Sequence, residues 1–371
     1  MRIGIVSPEF PPGIGGMENY SWFMSQELVR RGHEVHLFLT PRANDLPGAV
    51  CHKILSGNTL LDLPRLRNHD MDVWHVMNSG YSPLAVFKNN VVVHVHGNDF
   101  LKPWIGIDGP LIWRFRPPLN FLMMLYGFRK SFRILPNSRF TRSLLLKKFG
   151  RRVSLESKVE VFNLGISGDY FLPRMNNGHR SGERERIEFV TVSRLINNRK
   201  NVDSVILAMD ALKREGEFDV HYTVIGDGKD RPRLAELVKR LGLENEVSLA
   251  GFIPKEEIRE RLGRSDLFIL APLSEPNDVE GFGIVYIEAN ACGVPALASR
   301  NSGAEDAVQE GVSGYFVDSP TADGIKNALH LFLRGEIRFD RVKVMKHAEC
   351  FQWPRFVDRL EDRIYREIGS R

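Results

Sequence analysis

The sequence predicts an α/β fold of two Rossmann-like domains, each built on a parallel sheet, and three observations lead to that prediction. Short buried-strand patterns alternate with helical segments through both halves, as in parallel sheets covered on both faces. The length of 371 residues favours two domains over one. The segment 173–186, PRMNNGHRSGERER, is polar and lacks apolar periodicity, so it predicts the linker.

The first half, predicted as a domain over residues 1–172, begins with a buried strand. Helical spacing follows over 18–31 and ends before Gly32, a suitable C-cap. A basic stretch over about 111–149 also predicts helix. The predicted strands of this half are 3–7, 35–39, 73–77 and 91–97, and the segment 159–165 ends the half.

The second half repeats the alternation and predicts a domain over residues 187–345. Helices are expected at 230–241 and 284–292. The predicted strands are 189–193, 222–226, 247–251, 267–271 and 294–299.

Composition excludes several classes of protein. Hydrophobic residues make up 43% and charged residues 26%, which are ordinary globular values. Cys51, Cys292 and Cys350 lack paired spacing, so a reducing compartment is expected and a disulfide framework is not. We expect no signal peptide, and the apolar stretch 119–128 is too short to span a bilayer. These features predict a cytoplasmic protein.

Basic charge is concentrated in residues 101–158, which hold 13 basic and 2 acidic residues. One interpretation is a solvated face over ordinary core. The other is peripheral contact with anionic lipid at the inner face of the membrane, or a site for a phosphorylated lipid acceptor. No nucleic-acid motif accompanies the charge, so no nucleic-acid partner is expected. Aromatic residues are interleaved with it: Trp104, Trp113, Phe115, Phe121, Tyr126, Phe128, Phe132 and Phe140.

The segment 280–295, EGFGIVYIEANACGVP, carries the strongest chemical signal. Glu280 precedes a Gly-x-Gly turn, and Glu288 lies in the helix that follows. The glycines let the backbone approach a ligand, and the helix N-terminus suits a phosphate. Glu280 could accept hydrogen bonds from sugar hydroxyls and Glu288 from a ribose diol, although a single pair at this spacing can be incidental.

Two further features are ambiguous by themselves. Gly15 and Gly16 follow the first strand, but Glu18 stands where a dinucleotide fingerprint requires glycine, which disfavours a dehydrogenase. His96 ends an apolar strand, where a lone histidine is often structural. His94 is expected to lie in the core.

Together these segments resemble the family-4 retaining glycosyltransferases, which have the GT-B fold of two Rossmann-like domains facing across a cleft. The resemblance implies that the first domain, 1–172, takes the acceptor and the second, 187–345, binds the nucleotide sugar. It includes the terminal helix within 351–371, which in the family packs back on the first domain. It runs in order through PPGIGGMENY, HVHGND, VFNLG, VSRLINNRKN, VIGDGKDRPRL, LAGFIPKEEI and EGFGIVYIEANACGVP.

The resemblance implies roles for particular residues. Catalytic roles fall to His96, Glu280, Arg194 and Lys200, with Arg199 as the alternative diphosphate cation because Lys200 is one position late. Asp99 is a weaker candidate near His96. Ser167, Asp306 and the loop 274–280 depart from the family pattern. Donor binding falls to Gly15, Gly16, Arg199, Gly281, Phe282, Gly283, Ile284 and Glu288.

The expected reaction is transfer of a hexose, with retention, from a nucleoside-diphosphate sugar to a hydroxyl of a glycan or lipid-linked acceptor. No cofactor is expected. A catalytic metal is not expected either, because no Asp-x-Asp at a strand end, HxxxH or HExxH occurs. Two alternatives stay open: a non-catalytic nucleotide-sugar or glycan-binding module, and a nucleotide-sugar epimerase of similar fold.

Overall fold

The chain forms two compact units in a computed structural model. The structure describes residues 1–13, 15–101, 116–150, 152–171, 186–196, 198–275 and 278–370. Unit 1 contains Met1–Ser167 and Gln352–Arg371, and unit 2 contains Gly168–Phe351. The expected linker 173–186 lies almost wholly outside the described residues, as do Trp104, Trp113 and Phe115.

Unit 1 is built on a six-stranded parallel sheet in the order β3-β2-β1-β4-β5-β6. β4 and β5 are buried along their whole length, as the apolar runs VWHV and VVVHV predict for central parallel strands. The strands are β1 (Arg2–Val6), β2 (Glu34–Phe38), β3 (Val50–His52), β4 (Val73–Val76), β5 (Val91–Val95) and β6 (Arg133–Pro136).

Helices cover this sheet and include the carboxyl-terminal segment. The helices of unit 1 before the linker are α1 (Gly16–Arg30), α2 (Thr59–Leu66), α3 (Asn98–Leu101), α4 (Arg116–Lys130) and α5 (Arg139–Leu145), with a 3₁₀ segment at Ser79–Val86. The carboxyl-terminal helical segment comprises Trp353–Leu360, Glu361–Tyr365 and Arg366–Gly369. Its Trp353 and Phe356 rings contact the Tyr20 ring on α1.

Unit 2 repeats the same topology. Its parallel sheet has the order β9-β8-β7-β10-β11-β12, which is the 3-2-1-4-5-6 order of unit 1. The strands are β7 (Ile187–Val192), β8 (Val220–Ile225), β9 (Val247–Gly251), β10 (Leu267–Leu270), β11 (Ala296–Ser299) and β12 (Gly314–Val317). The helices are α6 (Val202–Glu215), α7 (Arg231–Leu241), α8 (Lys255–Arg264), α9 (Ile284–Ala291), α10 (Ala304–Ala307), α11 (Ala322–Leu333) and α12 (Arg341–Glu349).

The strand order of each sheet determines where a ligand can bind. The chain runs from β1 to β2 on one side of the sheet and from β4 to β5 on the other, and the same holds for β7 and β10 in unit 2. A crevice therefore opens at the carboxyl ends of each of these two pairs. Ligands of open α/β sheets bind at such a switch point. The crevices of both units are therefore the places to look for chemistry.

The sequence interpretation was wrong at two places. The expected helical stretch 111–149 is interrupted by β6, a short buried strand whose pattern is masked by flanking basic helices. The short strands β3 and β12 were missed. Among the helices that the structure describes, none has the length and hydropathy that crossing a membrane requires.

Candidate active site

A turn at the switch point of unit 2 connects β10 to α9 and carries Glu280. Gly283 caps α9 with φ of 81°, and a Cβ there would lie 2.3 Å from the Tyr286 ring, so glycine is required. The Tyr286 hydroxyl donates to the Leu270 carbonyl over 2.7 Å. The N-terminus of α9 is thereby tied to the end of β10.

The backbone of the next loop supports this turn. The Gly303 N–H donates to the Glu280 carbonyl over 2.8 Å. A Cβ on Gly303 would lie 1.9 Å from the Gly281 carbonyl oxygen, so no side chain fits there. The position of Glu280 therefore depends on a close approach of two backbone segments.

Two cations meet Glu280. Lys200 Nζ lies 2.6 Å from Glu280 Oε2, and Arg199 Nη1 lies 3.4 Å from the same oxygen. Arg199 also contacts Asp278, with 2.9 Å between Nε and Oδ1. Arg199 is thus shared by two carboxylates, which makes Lys200 the cation more readily transferred to a phosphate.

The loop that carries these cations is anchored to the end of β10. Asn201, with φ of 58°, donates from Nδ2 to the Ala271 carbonyl over 2.9 Å and to the Pro320 carbonyl over 2.6 Å. The Leu273 N–H donates to the Arg199 carbonyl over 2.9 Å. Hydrogen bonds of the neighbouring residues therefore hold the segment that carries Lys200 at the switch point.

The electrostatic environment of Glu280 and Lys200 indicates that both side chains are charged. Burial alone raises the pKa of Glu280, but the charges of Lys200 and Arg199 bring that pKa below its ordinary value. Burial lowers the pKa of Lys200, and Glu280 opposes the shift. Their side chains are only 12% and 16% exposed. We assign an ion pair, because each charge compensates the desolvation of the other.

Arg194 follows β7 and differs from the other two cations. Its side chain is exposed and, within the described residues, makes no hydrogen bond or ion pair. The Leu195 N–H donates to the Asp227 carbonyl over 2.9 Å, which fixes the backbone beside it. The positive charge of Arg194 reaches Lys200, whose pKa it helps to lower. Arg194 is a cation available to an anionic ligand.

Glu288 lies on α9 in a separate environment. Burial raises its pKa to about 7, while a hydrogen bond from Tyr170 and the charge of Lys255 act in the opposite direction. Lys255 Nζ lies 5.1 Å from the centre of the Tyr170 ring. The sequence interpretation missed Tyr170, because nothing in the local pattern pairs it with a residue far along the chain.

His96 lies in unit 1, at the carboxyl end of β5. Its backbone N–H donates to Asp99 Oδ1 over 3.0 Å, and its ring hydrogen-bonds the backbone of Met77. Burial lowers the pKa of His96 although Asp99 opposes this, so the ring is neutral. Nε2 is buried without a partner among the described residues. We therefore assign the proton to Nδ1, which leaves an acceptor lone pair on Nε2.

The other residues singled out from the sequence are distributed over both units. Gly15 precedes α1 and Gly16 begins it, at the carboxyl edge of unit 1. Gly281, Phe282 and Ile284 belong to the turn that leads into α9. His94 is buried in the core, where its Nδ1 lies 2.7 Å from the Tyr20 hydroxyl oxygen. The predicted donor residues Arg194, Arg199, Lys200 and Glu280 thus all come to the switch point of unit 2.

This fold and this grouping of residues define a GT-B glycosyltransferase. The family described as "Glycosyltransferase Family 4" matches residues 14–169, and "Glycosyl transferases group 1" matches residues 177–348. The chain belongs to the family-4 glycosyltransferases. The fold class and the family predicted from the sequence are confirmed.

Similar proteins agree with this assignment. The chain is 28% identical over 355 residues to the GDP-mannose-dependent alpha-(1-6)-phosphatidylinositol monomannoside mannosyltransferase of Mycolicibacterium smegmatis, covering 88% of this chain and 87% of that protein. It is 25% identical to N-acetyl-alpha-D-glucosaminyl L-malate synthase of Bacillus anthracis, covering 91% and 88%. Sucrose-phosphate synthase from Thermosynechococcus elongatus shares the fold, with a TM-score of 0.77, 17% identity and coverage of 100% and 99%. The chain is a nucleotide-sugar-dependent glycosyltransferase of glycan biosynthesis.

The expected role of Glu288, accepting hydrogen bonds from the donor ribose, predicts a pH-dependent affinity for the donor. Ribose hydroxyls donate best to an ionised carboxylate, and the pKa of Glu288 is raised to about 7 in the ligand-free protein. Binding must therefore expel a proton below neutral pH, and affinity should fall as pH decreases through 7. Calorimetric titration with a nucleoside diphosphate at several pH values measures this.

Glu288→Gln is the control for that dependence. It should bind about ten- to a hundredfold more weakly at alkaline pH, because a charged hydrogen-bond acceptor is lost. Its affinity should show little change through neutral pH. Equal pH profiles for the variant and the natural protein would remove Glu288 from the ribose site.

Proposed function

We propose that this chain is a retaining, metal-independent hexosyltransferase that acts on a lipid-linked acceptor at the membrane. One observation carries the donor part of the proposal. Lys200 and Arg199 converge on Glu280 at the N-terminus of α9, with the exposed Arg194 beside them. Cations at a helix N-terminus are suited to a diphosphate.

Leaving-group stabilisation is the main catalytic contribution in this proposal. As the bond between the anomeric carbon and the phosphate oxygen breaks, negative charge grows on the diphosphate. Lys200 and Arg194 stabilise that charge together with the free N–H groups of α9. Glu280, released by Lys200, accepts hydrogen bonds from the hexose hydroxyls.

Retention is proposed without a covalent intermediate. Glu280 is a poor nucleophile, since Arg199 still lies beside its carboxylate, at 3.4 Å, after Lys200 has moved to the diphosphate. The acceptor oxygen instead forms its bond on the face that the diphosphate leaves, and the departing phosphate oxygen takes the acceptor proton. His96 Nε2 accepts a hydrogen bond from a hydroxyl of the donor sugar.

Release of nucleoside diphosphate from a panel of GDP- and UDP-hexoses tests the donor proposal. GDP-mannose comes first, because the relative in Mycolicibacterium smegmatis is named for it. We expect slow hydrolysis of one donor and, in NMR spectra of early product, the anomeric configuration of that donor. A donor that is epimerised without release of nucleoside diphosphate would contradict the proposal.

Metal independence is a separate prediction. The diphosphate charge is balanced by Arg194, Lys200 and Arg199, so excess EDTA should leave turnover unchanged. In the part of the chain that the structure describes, no group of three metal-ligating side chains is found. Activity lost in EDTA and restored by magnesium or manganese would contradict the assignment of these cations.

The membrane part of the proposal rests on an apolar stripe along α4. Leu119, Leu122 and Tyr126 are 45%, 58% and 47% exposed and share one face by their spacing. The opposite face packs closely on Ser79–Val86, because a Cβ on Gly127 would lie 2.5 Å from the Ser82 backbone. This face of α4 is therefore the one presented to solvent.

Basic residues continue that stripe. Arg129 and Lys130 are exposed in the last turn of α4. Apolar side chains inserted beside basic ones suit anionic lipid, where each basic residue near the surface contributes about 1 kcal/mol. We propose a cytoplasmic enzyme attached peripherally to the inner face of the membrane, with its acceptor supplied from the bilayer.

Vesicle sedimentation tests this attachment. We expect binding to anionic vesicles but not to neutral ones, weakened by high salt. Leu122→Ser and the pair Arg129→Ser/Lys130→Ser should each reduce it. Arg133 is left unchanged because it forms an ion pair with Glu367.

Matched controls come from unit 2. Leu207 on α6 is exposed to a similar degree as the α4 stripe, and Lys239 and Arg240 end α7 as an exposed basic pair. Leu207→Ser and Lys239→Ser/Arg240→Ser should leave vesicle binding unchanged. Equal binding to neutral vesicles, or none to either kind, would favour a soluble acceptor.

A further inference from the structure

A row of polar residues follows the strand ends at the carboxyl edge of unit 1. Asn78 Nδ2 donates to Glu9 Oε1 over 2.9 Å. The Ser79 and His96 N–H groups donate to the two oxygens of Asp99, over 3.1 and 3.0 Å. Hydrogen bonds among neighbours therefore hold the row in place.

Four adjacent strands of this sheet, β1, β4, β5 and β6, are each followed by a polar atom that has no partner among the described residues. Glu9 Oε2 follows β1, Ser79 Oγ follows β4, His96 Nε2 follows β5 and Asn137 Oδ1 follows β6. All four atoms are buried and lack hydrogen bonds to the described residues. Ser79 is 0% exposed and Asn137 is 4% exposed, so bulk water does not solvate them. Buried polar groups almost always have hydrogen-bond partners, so four unpartnered atoms at the carboxyl edge of this sheet indicate a ligand or ordered water.

The sheet topology indicates that, within this row, Glu9, Asn78 and Ser79 are the residues positioned to bind a ligand. They follow β1 and β4, which flank the switch point of unit 1. Ligands of Rossmann-like sheets bind at that crevice. The predicted diphosphate and ribose residues all belong to unit 2, so a separate ligand group is needed here.

The charges around Glu9 indicate which class of ligand can bind there. Burial raises the pKa of Glu9 to about 7; Asn78 opposes the shift, and the negative charges of Asp99 and Glu18 add to it. Acidic surroundings repel a phosphate group. Vicinal hydroxyls, in contrast, can both donate to Glu9 Oε2 and accept from the Ser79 hydroxyl.

We propose that Glu9, Asn78 and Ser79 form a polyol-binding subsite for an uncharged sugar or cyclitol ring of the acceptor. The proposal rests on the proposed function, since it assigns the acceptor of that reaction. Asn78 hydrogen-bonds Glu9 Oε1, which leaves Glu9 Oε2 to accept from one ring hydroxyl. Ser79 Oγ forms a hydrogen bond with the adjacent ring hydroxyl. Glu9 is a positioning residue here and takes no part in the bond-forming step.

Saturation-transfer NMR with methyl α-mannoside, myo-inositol and inorganic phosphate measures binding without a donor. We expect a polyol to bind, with phosphate not competing. Glu9→Ala should weaken polyol binding about tenfold, and Glu9→Gln should retain part of it. Asp70→Asn, an exposed change in the same unit, should have no effect. No binding of either polyol, or equal binding by Glu9→Ala, would overturn the subsite.

Ser79→Ala separates a binding role from a structural one. Because its Oγ has no partner among the described residues, its removal should leave the thermal midpoint unchanged or raise it while polyol affinity falls. A lowered midpoint with unchanged polyol affinity would overturn the assignment. Calorimetry with a nucleoside diphosphate should give natural affinity for each variant. Failure of the natural protein to bind any nucleoside diphosphate would instead contradict the proposed function.

Discussion

Replacing Lys200 with methionine is expected to lower kcat by about two to three orders of magnitude, the usual result of removing one preorganised group that stabilises developing negative charge. Lys200 contacts Glu280 at 2.6 Å and, unlike Arg199, forms no ion pair with Asp278. Methionine keeps most of the apolar stem and removes only the charge. Initial rates of nucleoside diphosphate release at saturating donor measure the effect.

Folding must be separated from chemistry in that variant. Removing one partner of a buried ion pair can cost about 3–5 kcal/mol of stability. The loss should be smaller here, because Arg199 Nη1 remains 3.4 Å from Glu280. Arg199→Met is the matched control, and we expect it to reduce kcat less than Lys200→Met does. The reverse order would make Arg199 the diphosphate cation.

Gly303→Ala is expected to weaken donor binding about a hundredfold although it adds only one methyl group. Its Cβ would lie 1.9 Å from the Gly281 carbonyl oxygen and 2.5 Å from the Phe282 nitrogen. The turn that carries Glu280 must therefore shift, and misplacement of about 1 Å can cost that much in an active site. Calorimetric titration with a nucleoside diphosphate measures the change.

Gly263→Ala is the control for that prediction. Gly263 lies within α8, and no described heavy atom outside the helix backbone lies within 4 Å of the added Cβ. Alanine in a helix should raise stability by about 0.5–1 kcal/mol and leave donor affinity unchanged. If both alanine variants bind the donor normally, the close approach at Gly303 has no role in holding the turn.

The sequence predicted those parts of the molecule in which the signal is local. The turn from Glu280 to Gly283 and the helix after it are contiguous, so their chemistry could be inferred from one segment. Most long strands were found because buried parallel strands are apolar runs. β3 has only three residues, and β6 (RILP) and β12 (GYFV) are not continuous apolar runs, so these three strands give no such pattern.

Other features depend on contacts that no local pattern records. The hydrogen bond between Tyr170 and Glu288 joins distant segments. The ambiguity between Arg199 and Lys200 needed distances to Asp278 and Glu280. The unpartnered atoms of Glu9 and Ser79 appear only when burial and hydrogen bonding are known. The roles of the site residues and the predicted domain limits remain predictions.

The central claim is that Lys200 binds the β-phosphate of the donor at the N-terminus of α9. Calorimetric comparison of a nucleoside diphosphate with its monophosphate, in the natural protein and in Lys200→Met, tests it most directly. We expect the diphosphate to bind at least tenfold more tightly, which corresponds to about 1.4 kcal/mol, and most of that preference to disappear in Lys200→Met. Equal affinity for the two nucleotides, or the same preference in both proteins, would contradict the account.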